Sequence, residues 1–316
     1  MLHVIDPDKL RRWLPVATLL GLVLLVGALQ PAFLDIETLL QLAGDTATLF
    51  VLAAGVSFVI MLGGIDLSIQ SMASLASVIV ALTLAPLGYG AFLLAVLVGL
   101  ISGTLAGLAH VRLKIPSFIA TLAVGGVLSG AALVISHEHS ITLGEADRTY
   151  LNWITGTSFG IPHEVIIAAI LLIVADVVQR KTRFGRYSAA IGAGEAAAYA
   201  SGVKVDRQKV IAFIISAGFA AFAGVMLAGR LASGSPTLAN ELLLPAIAAV
   251  VVGGTAITGG VGSIWRTLTG ALIISVVRTG MTFVGVNIFA QQIVFGAVLV
   301  AAVAVTIDRT KIPIVK

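Results

Sequence analysis

The chain has 316 residues, 59% of them hydrophobic and 11% charged, and its mean hydropathy is +1.09. Soluble globular chains run nearer about 45–50% apolar and about 25% charged, so the composition excludes a water-facing globule and predicts a polytopic membrane protein. The absence of cysteine excludes a disulfide frame, a thiol nucleophile and Cys-ligated metal, and the net charge of +4 comes from bases scattered between apolar runs rather than gathered into a nucleic-acid face.

A helix needs about 20 apolar residues to cross a hydrocarbon core of about 30 Å. In chain order, runs of that kind predict spans at 14–34, 46–64, 67–86, 89–110, 115–136, 164–179, 210–231, 242–259, 267–285 and 289–307. Lys9, Arg11 and Arg12 precede the first run, but its length exceeds a signal-peptide core and no small-x-small cleavage site follows, so it reads as a retained helix. The third and fourth spans share one uncharged run, divided here at Pro86, Gly88 and Gly90. Gly99, Gly103 and Gly107 repeat every four residues in the fourth span, and Gly126 and Gly130 do so in the fifth. Small residues let helix backbones approach in lipid, so both sets read as packing seams, with a sliding surface as the functional alternative.

Lys and Arg are retained in short cytoplasmic loops. With both termini inside, Lys9, Arg11, Arg12, Arg112, Lys114, Arg180, Lys181, Arg183, Arg186, Lys204, Arg207, Lys209, Arg266, Arg309, Lys311 and Lys316 fall on the inner side, 16 of the 19 bases. Arg148 lies in an outer loop, Arg230 near the outer end of the seventh span and Arg278 within the ninth. On the outer side stand eight acids, Asp35, Glu37, Asp45, Glu138, Glu145, Asp147, Glu164 and Glu241. A face of that sign suits a partner presenting bases.

Enzymatic chemistry is not apparent. There is no phosphate-binding loop, since Gly254 to Gly259 is followed by Gly260 where lysine is required. The His137, Glu138, His139 cluster reads as a solvated loop, no nucleophile elbow occurs, and the spans lack the paired acids or histidines of a proton relay.

The inner loop 180–209 carries a small, apolar stretch flanked by bases. Its segment from Glu195 to Ser201 has high helix propensity and stands between Gly194 and Gly202, which predicts a short helix. The helix rests on lipid headgroups or docks a soluble partner. Gly-Arg-Tyr-Ser-Ala-Ala-Ile-Gly-Ala-Gly-Glu-Ala-Ala at 185–197 resembles the coupling loop of ABC importer permeases of the ribose type, the second carbohydrate-uptake class. The likeness extends through Gly63-Gly-Ile-Asp-Leu-Ser68, Ile115-Pro-Ser-Phe-Ile-Ala-Thr-Leu122, Ala246-Ile-Ala-Ala-Val-Val-Val-Gly-Gly-Thr255 and Gly259-Gly-Val-Gly262, over about residues 45–308. The common motif has Gly three residues beyond Glu-Ala-Ala, whereas four residues intervene here before Gly202. The resemblance carries an ATPase-coupling role onto Arg186, Gly194, Glu195, Ala196, Ala197 and Gly202.

Two further positions stand out. Asp66, with Ser68, either caps the following helix or belongs to a broken helix lining a cavity, and the resemblance favours the second. Arg278 lies seven residues from Gly285, about 10 Å along a helix, and a mid-span charge costs about 2.5–3.5 kcal/mol. It either snorkels to the interface or lines a pathway.

The sequence thus predicts an all-α polytopic protein of about ten transmembrane helices, one permease domain over 1–316. The resemblance implies the membrane-spanning subunit of an ATP-driven importer for a monosaccharide or similar small polyhydroxylated solute, in the bacterial inner membrane and without catalysis of its own. It further implies a separate ATPase that holds the ATP, a second permease copy or related permease, and a periplasmic sugar-binding protein. No cofactor is expected on this chain. The alternative is an ion-coupled secondary transporter acting alone, which would require inverted repeats and midplane acids, neither of which is evident.

Overall fold

The computed structural model describes residues 7–306. Arg309, Lys311 and Lys316, used above for orientation, lie outside the described residues, as do the side chains of Lys9, Arg11 and Arg12.

Thirteen α-helices follow in order among the described residues: α1 (Pro7–Leu29), α2 (Ile36–Met61), α3 (Ile69–Leu87), α4 (Gly90–Arg112), α5 (Ser117–Ser136), α6 (Asn152–Thr155), α7 (His163–Lys181), α8 (Arg183–Ala193), α9 (Glu195–Ala200), α10 (Val205–Leu231), α11 (Leu243–Val252), α12 (Ile264–Phe283) and α13 (Ile288–Thr306). Extended structure is confined to two-residue pairings: β1 (Ile141–Thr142) with β4 (Ser233–Gly234), and β2 (Thr157–Ser158) with β3 (Ile161–Pro162), both antiparallel. Helices α2, α3, α4, α5 and α10 are each long and apolar enough to cross a membrane. The protein is an all-α, multi-pass membrane protein.

Helix α2 forms the hub. It is buried without interruption from Thr46 to Met61 and packs against α7, α10, α11 and α12. A helix apolar all round needs neighbours on every side. Two of its hydroxyls bond within the helix, Thr46 Oγ1 donating to the Leu42 carbonyl and Ser57 Oγ bonding the Ala53 carbonyl and Thr267 Oγ1, while the buried Thr48 hydroxyl has no partner among the described residues. The Gly99, Gly103 and Gly107 seam lies against α10: a Cβ on Gly103 would stand 2.4 Å from the Phe213 carbonyl oxygen. Gly126 and Gly130, by contrast, have no atom within 4 Å of such a Cβ, so the expected seam in the fifth span is not formed within this chain; the neighbouring Gly125 packs on Ser68 instead.

A helix occupies each predicted span, with two corrections. The first ends at Leu29 rather than 34, because Pro31 opens a separate 3-10 turn over Pro31–Leu34. The eighth shrinks from 242–259 to the ten residues of α11, about 15 Å of helix and half a bilayer core. Gly253 and Gly254 end it, Gly254 in the left-handed region at φ +94°. The preceding stretch 232–242 holds only β4 and a 3-10 turn over Asn240–Leu242 and runs beside the middle of α3. There Ser77 Oγ accepts from the Ser235 amide at 3.2 Å and Ser74 Oγ from the Ala239 amide at 3.0 Å.

Candidate functional site

The loops that charge assigns to one side do meet at one end of the bundle. The Gly260 amide donates to the Met61 carbonyl at 2.9 Å, the Ile65 amide to Ser117 Oγ at 3.0 Å, and Gln179 Nε2 to the Gly262 carbonyl at 2.8 Å. Arg112, Lys114, the bases of 180–209 and Arg266 gather there.

The predicted short helix is α9. Its side chain at Ala198 is buried, while Glu195, Ala196, Ala197, Tyr199 and Ala200 are exposed, Tyr199 at 74%. Two contacts hold it. Lys209 Nζ, at the start of α10, lies 2.8 Å from both Glu195 carboxylate oxygens. At the other end Gly202, at φ +82°, donates to the Tyr199 carbonyl and Val203 to that of Ala198, the double bond of a Schellman cap. Gly194 links α8 to α9 in an extended conformation, and a Cβ there would meet nothing nearer than 3.9 Å.

Helix α8 was not foreseen. It buries Gly185, Ser188 and Ile191, one residue per turn, and leaves Arg186 exposed beside a cleft of about 300 Å³ that Met61, Gln179 and Gly260 also line. Its fixed point is Gly192, where a Cβ would stand 2.1 Å from both the Gly260 amide nitrogen and the Met61 carbonyl oxygen. The inner end of α2, α8 and the loop between α11 and α12 therefore touch backbone to backbone. Gln179 completes the joint, its Oε1 accepting from the Ile264 amide at 3.0 Å. In the sequence only the glycine cluster 259–262 and the three-residue spacing of Gly185, Ser188 and Ile191 signal this joint.

Asp66 is buried, and both its carboxylate oxygens are occupied. Oδ1 accepts from the Ser68 amide at 2.9 Å and the Ser68 hydroxyl at 2.6 Å, while Oδ2 accepts from Ser216 Oγ of α10 at 2.7 Å. The amides of Ile65 and Leu67 are met by Ser117 and Thr121 of α5. A second cleft, about 220 Å³, is lined by Gly63, Gly64, His110, Glu195 and Lys209 but not by Asp66. Arg278 is half-buried on α12, five residues before its end, and among the described residues its side chain has no ion-pair or hydrogen-bond partner.

At the opposite end Arg230 of α10 joins Asp45 of α2 at 2.8 Å and Glu164 of α7 at 3.5 Å. Asp45 and Glu164 therefore lie within helices and are engaged in a three-helix ion cluster. They do not belong to the loop acids counted for docking, nor does Glu37 in the first turn of α2, which leaves Asp35, Glu138, Glu145, Asp147 and Glu241 outside the α-helices.

A multi-pass helical bundle with a tethered, exposed helix at its basic end has the build of a membrane transport subunit. The family described as branched-chain amino acid transport system / permease component matches residues 38–303, and the chain belongs to it. Among its relatives, the ribose import permease protein RbsC of Bacillus subtilis is 38% identical, covering 94% of this chain and 92% of its own. RbsC of Haemophilus influenzae is 34% identical over 90% of each. The probable ABC transporter permease protein YphD of Escherichia coli is 37% identical over 89% of this chain and 85% of its own. The protein is a permease component, a transport subunit rather than an enzyme.

Proposed function

We propose that the chain is the membrane-spanning subunit of an ATP-driven ABC importer for a neutral monosaccharide, a pentose by its likeness to ribose permeases. It works in the bacterial inner membrane beside a second permease copy, with an ATPase on its basic, cytoplasmic end and a sugar-binding protein on the other. In that orientation the chain crosses ten times with both termini inside, the eighth crossing being part helix and part irregular backbone. ATP and its hydrolysis belong to the ATPase, and this chain binds no cofactor. A neutral cargo accords with the interior, where Asp66 is occupied by serine donors and Arg230 by carboxylates.

The observation that carries the reading is α9. It offers Ala196, Ala197 and Tyr199 to the exterior while Lys209 and the Gly202 cap tie it to α10, so a push on α9 is delivered into a membrane-spanning helix. Arg186 on α8 completes the coupling face, and Gly194 only links the two helices across open space. Asp66 and Ser68 act by holding α10 to the start of α3, and Arg278 lines the pathway.

The test is reconstitution of the permease with its ATPase and binding protein, followed by ATP-dependent uptake of labelled ribose. Ala197→Trp overfills a docked helix, at a cost of about 1–3 kcal/mol, and Gly202→Val cannot readily hold the left-handed cap. Each should insert normally yet lose uptake and the binding-protein-stimulated ATPase. Full stimulation by both variants places coupling elsewhere, and absence of any ATPase in the purified wild-type complex overturns the importer reading.

A further inference from the structure

The stretch 232–242 runs at membrane depth without an α-helix, its regular structure being β4 and one 3-10 turn over Asn240–Leu242. Ser74 and Ser77, which hold it, lie about 15–20 Å along α3 from Leu87, the end facing the acidic loops. Most of its backbone is accounted for: Leu238, Asn240 and Leu242 donate to the carbonyls of Ser235, Thr237 and Ala239, β4 pairs with β1, and Leu143 donates to the Ala232 carbonyl. Gly234 is pressed so closely on α3 that a Cβ would stand 2.2 Å from the Ser77 carbonyl oxygen. One side of the stretch is therefore fixed to the bundle. The other presents Thr237, Asn240 and Glu241, all exposed.

Polar side chains and irregular backbone do not face lipid; at this depth they require protein or a water-filled cavity. Glu241 is taken up by the Gln292 amide of α13, while Thr237, whose hydroxyl also meets Ser235 Oγ at 3.4 Å, and Asn240 remain exposed. A hydroxyl and a carboxamide each donate and accept, as sugar hydroxyls do, and neither presents a charge to a neutral solute. We infer that the stretch 233–242 forms a wall of the solute pathway, with Thr237 and Asn240 exchanging hydrogen bonds with the hydroxyls of the passing sugar. This rests on the importer reading above and supplies it with a contact site in the half of the membrane facing the binding protein.

The absence of cysteine makes the test direct. Thr237→Cys and Asn240→Cys are introduced singly into the full importer in proteoliposomes and exposed from the acidic side to a membrane-impermeant methanethiosulfonate, with Ile173→Cys, 60% exposed on α7, as the lipid-facing control. Both pathway cysteines should label at least tenfold faster than the control, and labelling should abolish pentose uptake. Thr237→Val and Asn240→Leu should lower the maximal uptake rate about fivefold, the scale of one hydrogen bond, with capture of the binding protein unchanged. Labelling no faster than Ile173→Cys, as when a second copy or lipid seals the surface, overturns the inference, as does labelled protein that transports normally. If the unsubstituted protein shows no ATP-dependent uptake, the importer reading fails, and the labelling rates still decide whether the stretch faces water.

Discussion

Asp66 shows how a carboxylate is accommodated in a membrane protein: three donors converge on two oxygens, and one of them comes from another helix. Ser216→Ala would leave Oδ2 as a buried acceptor without a partner, a loss of about 1–3 kcal/mol. Thermal unfolding of the purified complex should therefore shift downward. The Asp66→Leu, Ser216→Ala double variant should lose less than the sum of the two single losses, because the orphaned acceptor is gone. Strict additivity would show that the two side chains do not act as a pair. The Ser68 half of the arrangement is legible in the sequence, being two residues away at the start of an apolar run. The Ser216 half is 150 residues distant, and a serine within an alanine-rich span carries no mark of its partner.

Among the elements, long apolar runs announce the spans, since a bilayer imposes one length on all of them. What those runs hide is discontinuity. The eighth is apolar through Val252 and small through Gly262, so hydropathy alone extends a helix that Gly253 and Gly254 stop. Helix α8 is hidden for the opposite reason, its arginines and glycines breaking any apolar run. The glycine that matters there is Gly192 and not Gly194. Gly192→Ala has no room beside the Gly260 nitrogen and the Met61 oxygen, both backbone atoms, and should destabilise the inner joint by at least about 1–3 kcal/mol and abolish uptake. Gly194→Ala, with open space and extended backbone, should transport at the wild-type rate. Uptake assays on the pair suffice, and the reverse order of severity would refute the joint described here.

Across the whole molecule, the two ends are secured by different physics: backbone contact at the basic end, a shared arginine at the other. Arg230 draws together α2, α7 and α10, with Glu164 side chain only 8% exposed against 54% for Asp45. Arg230→Gln strands the Glu164 carboxylate, at a cost of about 2–3 kcal/mol, below the roughly 3–5 kcal/mol of a fully buried pair because Arg230 and Asp45 reach solvent. Adding Glu164→Gln should recover part of the lost thermal stability. A double variant no more stable than Arg230→Gln alone would assign the cluster no cooperative role. The outer charge count misleads at this scale because Asp45 and Glu164 precede or follow apolar runs and look like loop acids, while their common partner lies in a third segment.

The central position of α2 also bears on how the protein is made. Every α-helix packed against it is encoded far downstream, from α7 onward, and the partner of Ser57, Thr267, follows 210 residues later. At about 5–20 residues per second of synthesis, α2 waits about 10–40 s before that contact exists. Two of its hydroxyls can wait in lipid because Ser57 and Thr46 bond carbonyls of their own helix. The hub of the finished bundle is thus an early arrival at the membrane, solvated first by lipid and only afterwards by the rest of the nascent chain.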